Sequence, residues 1–580
     1  MRPKASARGG NVLRRARWVA AGIVFCVATL GFLFPALWAE MPIRVLAAWQ
    51  FAPSGLRGLQ GFWLVAFHGA VLSAGAAGIA LLVSFLALLL LSAFFGRWYC
   101  AFLCPLGFLQ DVAAWAGRKR RGYVKSNPIL RASALACFIA LGVGGALGLA
   151  SWLEPWSLAG RFFAYDVQPL ARLLLRADSP LLPWGFIAAS GLAAALIIGT
   201  AAFRGRWFCN SLCPAGSLLG LLNRKAPLRL RIDPGTCSSC GRCSSVCLAD
   251  CLDGKNRFLD ASRCVYCLEC VGVCPTGSVR YGRGIREKRR GQDDRISTID
   301  RKKKGQDDGI SMIDRREKRQ DDRITRINRV EKGQDRAMVT RAGFLGLIGT
   351  NLKIAGSAAI GIFLGVGGAA AARRIAGAQD SGDRTPPGAV SPPGSLSTHR
   401  FAETCTACGL CVARCPSKIL RPSTGQFGLT ALFAPRLDYD VSYCQFSCTT
   451  CLDLCPSGAL VKLSPEEKQR TKIGDATLVR DLCIVIKNGT KCGACAEHCP
   501  TGAVRMVKGA SGLPEPVFST SICIGCGACH HACPVKPKKA ITVSGLAVHE
   551  VAEKPSERLF DPPDPPGSPV PTHDSGLFPF

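Results

Sequence analysis

An α-helical membrane domain of four plus one transmembrane helices, joined to two cysteine-rich α+β modules, is the fold class this 580-residue sequence predicts. Three observations predict it. The spacing Cys-x-x-Cys-x-x-x-Cys, usually with a further cysteine in step, recurs six times and takes up 24 of the 31 cysteines. A mean hydropathy of +0.21 with 48% hydrophobic residues is too apolar for an ordinary soluble chain. Apolar stretches long enough to cross about 30 Å of hydrocarbon as a helix precede the first motif and separate the motifs into two groups.

Three thiolates in consecutive steps, closed by a fourth, suit a cubane 4Fe-4S cluster that takes three ligands from one motif and one from a neighbour. Cys264, Cys267, Cys270 and Cys274, followed by Pro275, give the cleanest copy. Six motifs of four then hold six clusters. Disulfides have no reason to repeat one short spacing, and a structural zinc site uses paired Cys-x-x-Cys halves. The net charge of +32 lies in helix-flanking loops and one linker, so no nucleic-acid partner is expected. No motif for a nicotinamide or a flavin is present.

Residues 1–227 read as the four-helix domain, with spans at about 18–38, 63–95, 130–153 and 182–203. Arg14, Arg15 and Arg17 lead into a stretch without a polar cleavage region, so no cleaved signal peptide is read. Cations before the first span and at Arg97 and 118–125 put those segments on the cytoplasmic side by the positive-inside rule. Where spans two and four emerge there, Cys100-x3-Cys104-Pro105 and Cys209-x3-Cys213-Pro214 repeat one pattern. Four thiolates from two adjacent helices can ligate one more cluster or work as redox dithiols, against the plainer reading of a structural turn. His68 is the single histidine within a span, which disfavours a bis-histidine haem; it is a candidate proton relay against a packing role. Cys26 and Cys137 read as small packing residues.

Residues 228–282 read as a two-cluster bacterial ferredoxin with motifs Cys237, Cys240, Cys243, Cys247 and Cys264, Cys267, Cys270, Cys274, exchanging their fourth cysteines. Leu248 stands where a proline would follow Cys247, and Cys251 is either an alternative ligand or a bystander. Residues 283–341 form a charged linker with a 14-residue unit around Gln292, Gln306, Gln320 and Gln334, its apolar seam too thin for a coiled coil. A fifth helix or signal anchor at 342–374, a flexible Pro-rich tether at 375–399, a four-cluster domain at 400–550 and a disordered tail at 551–580 complete the chain.

The four-cluster domain carries Cys405, Cys408, Cys411, Cys415; Cys444, Cys448, Cys451, Cys455; Cys483, Cys492, Cys495, Cys499; and Cys523, Cys526, Cys529, Cys533. The expected pairing is nested, first motif with last and second with third. His498, His530 and His531 stand beside ligands, where they either tune potential through hydrogen bonds to sulfur or simply face solvent.

In this order the parts resemble two ferredoxin-type accessory proteins of periplasmic nitrate reductase systems joined in one chain. Residues 1–282 are similar to the NapH type and about 338–550 to the NapG type, although Ala342, after Arg341, stands where an export leader carries its second arginine. The resemblance implies a quinol dehydrogenase-type electron carrier of the bacterial inner membrane, multi-pass, that draws on the quinol pool. Its acceptor would be a periplasmic reductase, nitrate or nitrous oxide reductase-like, or a c-type cytochrome, with residues 228–341 cytoplasmic and 375–580 periplasmic. Two other readings stay open: a redox maturation factor for a periplasmic metalloenzyme, and electron entry from a soluble cytoplasmic donor. How electrons would cross between the two cysteine groups is not visible in the sequence.

Overall fold

The computed structural model describes residues 4–33, 46, 47, 50, 74–117, 122–175, 182–224, 226–283, 389–509 and 512–553. His68, the linker beyond residue 283, the fifth helix at 342–374, the first part of the tether and the tail beyond residue 553 lie outside them.

The amino-terminal half is a helical bundle. It comprises α1 (Lys4–Leu33), α2 (Ala74–Phe95), α3 (Trp98–Phe102), α4 (Pro105–Ala116), α5 (Pro128–Val143), α6 (Leu147–Ala150), α7 (Pro155–Arg161), α8 (Gln168–Leu174), α9 (Trp184–Arg204), α10 (Trp207–Ser211) and α11 (Pro214–Asn223). Proline opens α4, α5, α7 and α11, where its missing N–H is one the first turn leaves unpaired anyway. In α4 and α11 that proline belongs to a Cys-Pro pair, so the motif's second half is a helix start with cysteine as N-cap. Glu154 caps α7 by accepting from Trp156 N at 3.0 Å and Ser157 N at 2.5 Å.

Among the described residues two helices are long and apolar enough to cross a membrane, Val12–Leu33 within α1 and Trp184–Arg204, which is α9. The span expected at 130–153 is broken. Helix α5 stops at Val143 with Gly144 as cap, and Gly145 takes φ +72° before α6 begins. Two adjacent glycines without side chains to hold the helix account for the break. The second expected span is helical over Ala74–Phe95.

The first cysteine module pairs β1 (Leu228–Ile232) with β4 (Val279–Arg283), Leu228 opposite Arg283, and β2 (Leu252–Asp253) with β3 (Phe258–Leu259). The second cysteine group, or array, contains the antiparallel pairs β5 (Leu420–Pro422) with β6 (Pro435–Leu437) and β8 (Val504–Lys508) with β9 (Pro514–Phe518). A longer pair, β7 (Thr471–Leu478) with β10 (Ile541–Val551), encloses its last two motifs. The tether expected to be flexible is packed over its final residues. Val390 bridges to Leu437, Ser397 bridges to Val548, and Ser395 Oγ closes a turn by donating to Pro392 O at 2.6 Å.

Helix α1 positions both cysteine groups. Near its start Arg14 Nη1 and Trp18 Nε1 reach Glu269 of the first module at 3.3 and 2.8 Å. Near its end Gly31 O accepts from Arg414 of the array at 3.3 Å, and Phe32 packs on Trp156. Trp18 and Gly31 are thirteen residues apart, about 20 Å along a helix rising 1.5 Å per residue. The two groups therefore dock at opposite ends of the bundle.

The bundle is tied at the first-module end by Asp111, whose carboxylate accepts from Arg17 Nη1 at 2.5 Å, Arg206 Nη2 at 2.6 Å and Arg206 Nε at 2.7 Å. All three side chains are wholly buried. Burial alone would raise the Asp111 carboxyl, but Arg206 and then Arg17 hold it below the ordinary carboxylate range. Asp111→Ala should leave two guanidinium groups buried without their anion and destabilise the fold by about 3–5 kcal/mol. Denaturant unfolding of the purified protein measures it; a loss below about 1 kcal/mol, the level of a surface pair, would contradict the role given to Asp111.

Candidate functional site

Four of the six cysteine loops share one backbone device. The residues on either side of the second cysteine take left-handed φ: Ser239 (+54°) and Gly241 (+73°), Tyr266 (+53°) and Leu268 (+62°), Ala407 (+48°) and Gly409 (+74°), Gly525 (+71°) and Gly527 (+80°). Alternating handedness curls the chain about a point and turns successive N–H groups inward, the nest that suits a sulfur-rich anionic centre. Ala407 N donates to Cys405 Sγ and Gly525 N to Cys523 Sγ, each at 3.4 Å. The two stretched motifs do without this pair, since Thr449 and Gly493, after their second cysteines, have φ of −113° and −134°.

In the first module Cys243 feels the field of Cys274 and Cys237, and Cys270 that of Cys267, Cys264, Cys247 and Cys243, so the closing cysteine of each motif stands near thiols of the other. Burial pushes the Cys243 thiol up to about 11, with Cys274 and Cys237 adding to it. Cys251 is buried, with its sulfur 3.7 Å from Cys247 Sγ, inside the second set.

The array departs from the nested pairing. Cys411 gathers with Cys408, Cys405 and Cys455. Cys444, Cys448, Cys451 and Cys415 line one cavity. Cys529 gathers with Cys526, Cys523 and Cys499, while Cys483, Cys492, Cys495 and Cys533 line another cavity. The first motif therefore exchanges with the second and the third with the fourth. Strand pairing is the reason: the β5–β6 hairpin folds the chain back within the first pair, and β7 with β10 closes around the second. The two pairs meet where Cys444 N donates to Cys526 O at 3.0 Å and Tyr439 Oη to Gly525 O at 2.6 Å. The order outward from the bundle is thus the Cys405 site, the Cys444 site, the Cys523 site and the Cys483 site.

Every cysteine is free. Among the described residues no three His, Cys, Asp or Glu side chains converge as a single metal ion requires. The thiols ring volumes rather than points, which fits a cubane with four iron corners better than zinc with Zn–S near 2.3 Å.

The two Cys-x3-Cys-Pro turns meet at the bundle end that carries the first module. Cys100, Cys104, Cys209 and Cys213 are all buried, and each of Cys104 and Cys213 lies within the field of Cys209 and Cys100. Two arginines cross between the turns: Arg97 Nη2 donates to Cys209 O at 3.2 Å, and Arg206 Nη1 to Cys100 O. Each passes over a glycine, for a Cβ at Gly107 would stand 2.6 Å from Cys100 O, and one at Gly216 2.0 Å from Cys209 O. Arg97 also reaches Cys100 Sγ at 3.8 Å and the Ser262 carbonyl of the first module at 3.3 Å. Gln110 Nε2 donates to Cys209 Sγ at 3.3 Å. Burial first, and the neighbouring thiols next, raise Cys104 and Cys213 well above the ordinary thiol value. A thiol-exchange dithiol needs access, and all four of these thiols are buried. The repeated Gly-Arg-Trp before Cys100 and Cys209 was the available sign of the arginines, which reading the cysteines alone passes over.

The histidines beside the array turn to other partners: His498 Nδ1 to Ala494 O at 2.9 Å, His530 Nε2 to Asp440 Oδ1 at 3.1 Å, and the His531 ring to Tyr443. Cys26 is exposed and Cys137 half-buried in the bundle.

Models described as 4Fe-4S binding domains match residues 77–123 and 186–233, residues 258–280 and residues 402–425, and a 4Fe-4S dicluster domain matches 489–536. The ferredoxin-type protein NapF of Escherichia coli is 29% identical over 161 residues, 28% of this chain and 87% of the relative. The ferredoxin-type protein NapG of Escherichia coli is 31% identical over 195 residues, 31% of this chain and 81% of the relative. The ferredoxin-type protein NapH of Haemophilus influenzae is 26% identical over 209 residues, 34% of this chain and 64% of the relative. No solved structure matches the chain.

Sequential exchange makes a distinct prediction about iron content. Cys408→Ser with Cys455→Ser should remove one cluster's worth of iron, because both side chains serve one site. Cys408→Ser with Cys533→Ser should remove two. The reverse result, by iron and sulfide analysis of the purified protein, would restore nested pairing.

Proposed function

Because the chain belongs to the NapG family of ferredoxin-type proteins, with a NapH-like half ahead of it, we propose that it is a membrane-bound iron-sulfur carrier that takes electrons from quinol and delivers them to a periplasmic reductase or c-type cytochrome. The observation that carries this reading is the placement of the two cysteine groups at opposite ends of one helical bundle, with the Cys100, Cys104, Cys209 and Cys213 set between the first module and the bundle interior. Twenty-four cysteines hold six clusters and that set holds a seventh; each cluster supplies a one-electron carrier.

An apolar exterior supports insertion of the bundle. Val19, Ile23, Leu90, Leu196 and Phe203 are each about 60% exposed on α1, α2 and α9, a pattern that lipid tolerates and water does not. Under this reading α1, α2 and α9 cross the bilayer, and α5 with α6 forms a broken span. The protein's part in conduction is to keep the interval dry and packed. Along α1 the rings of Trp18, Phe108, Phe25, Phe163 and Phe32 succeed one another at centroid distances of 5.7, 4.9, 5.6 and 5.7 Å. This column supports a packed path between the two cysteine groups.

Entry from a soluble cytoplasmic donor is the second reading, favoured by the exposure of Cys240 in the first module. Menadiol added to anaerobic membranes should bring up the EPR signals of reduced clusters, and Cys100→Ser with Cys209→Ser should slow that reduction at least tenfold. Signals that appear only with a soluble cytoplasmic reductant would overturn quinol as donor. Unchanged reduction in the double variant would return the four bundle cysteines to a structural role.

A further inference from the structure

Several buried polar groups of the bundle lack a hydrogen-bond partner among the described residues, and the Tyr165 hydroxyl is one of them. Tyr165 is 0% exposed, yet its hydroxyl has no hydrogen-bond partner among the described residues, a costly state for a buried donor. The two charged groups of the preceding helix are already engaged: Arg161 donates to Ser151 Oγ and Ser151 O, each at 2.8 Å, and the Glu154 carboxylate caps α7.

The side chain is carried on a π-helical segment, Phe162–Val167, an irregularity found mostly at functional positions. That segment is pressed against the loop of the Cys405 site. A Cβ at Gly409 would lie 3.4 Å from Tyr165 Cε1 and 3.5 Å from Cζ, and a Cβ at Gly160 would lie 2.3 Å from Cys408 O. Gln168 Nε2 locks the segment by donating to Ala413 O at 3.0 Å and Phe32 O at 2.7 Å. The phenol ring stacks on Phe433 of the array at 6.2 Å. Cys411, Cys408 and Cys405 are the thiols whose field it feels. Thr406, between the first two of them in sequence, has a second buried hydroxyl without a partner among the described residues. Two unpaired donors beside one thiol set fit a missing acceptor, and a 4Fe-4S cluster offers sulfur.

We propose that the Tyr165 hydroxyl donates a hydrogen bond to the sulfur shell of the cluster held by Cys405, Cys408, Cys411 and Cys455, so that the helical bundle sets the potential of the array's nearest cluster. The inference rests on reading those four cysteines as a cluster site. A donor to sulfur favours the reduced cluster, which carries one more negative charge, and so raises its potential. The array's entry point then has a favourable potential only while docked on the bundle.

Tyr165→Phe in the full-length protein keeps the ring and removes the donor. In an anaerobic dithionite titration with mediators, followed by EPR, one cluster should shift to a lower midpoint while the others, and the iron and sulfide contents, stay as in the parent. In a Cys408→Ser background, which lacks that cluster, Tyr165→Phe should leave the remaining midpoints in place. Unchanged midpoints in the single variant, a shift shared by all clusters, a loss of iron, or a shift that survives Cys408→Ser would each overturn the proposal. The titration uses no quinol, so its outcome is independent of the donor; a parent protein short of one cluster's iron would instead remove the ligand assignment.

Discussion

One buried carboxylate between two arginines holds this molecule in register. Asp111 lies on α4, Arg17 on α1 and Arg206 just before α10, all three with wholly buried side chains. Arg206 extends the tie to the Cys100 carbonyl, and Arg97 returns it from the other turn to Cys209 and onward to Ser262. Removing any member leaves charge in a dry interior, which is why the four bundle cysteines, α1 and the first module have one arrangement rather than several.

Close backbone approach plays the corresponding part at the other end. Gly148 and Gly160 let the array's Thr430 and Cys408 carbonyls come within 2.3 Å of where a Cβ would stand. The hydrophobic core then runs without a break from Phe32, Trp156 and Tyr165 into Phe433, Leu410 and Leu437 of the array. Halves that resemble two separate relatives thus share one core.

The chemistry of the cysteine loops was legible in the sequence because ligand spacing is local: the motif of Cys264, Cys267 and Cys270 dictates its own curled backbone. Partnership between motifs was not, because the fourth ligand is chosen by strand pairings such as β7 with β10, which join residues as distant as Thr471 and Val551. The third span was read as continuous although Gly144 and Gly145 stood within it; hydropathy weighs composition and ignores caps. Asp111 and Tyr165 could not be found from the sequence at all, since a buried ion pair and an orphaned hydroxyl are properties of three-dimensional neighbours. The packed end of the tether at Val390 escaped for the same reason: its prolines signal a stiff chain and say nothing of what it packs against.

The opposed docking of the two cysteine groups is most directly tested by sidedness. Spheroplasts and inverted vesicles from cells making the full chain, with epitope tags beside residues 283 and 553, can be treated with protease and blotted. Digestion of the array from the outer face only, and of the first module from the inner face only, is the expected result. Loss of both tags from the same face would contradict a carrier that joins the two sides of a membrane.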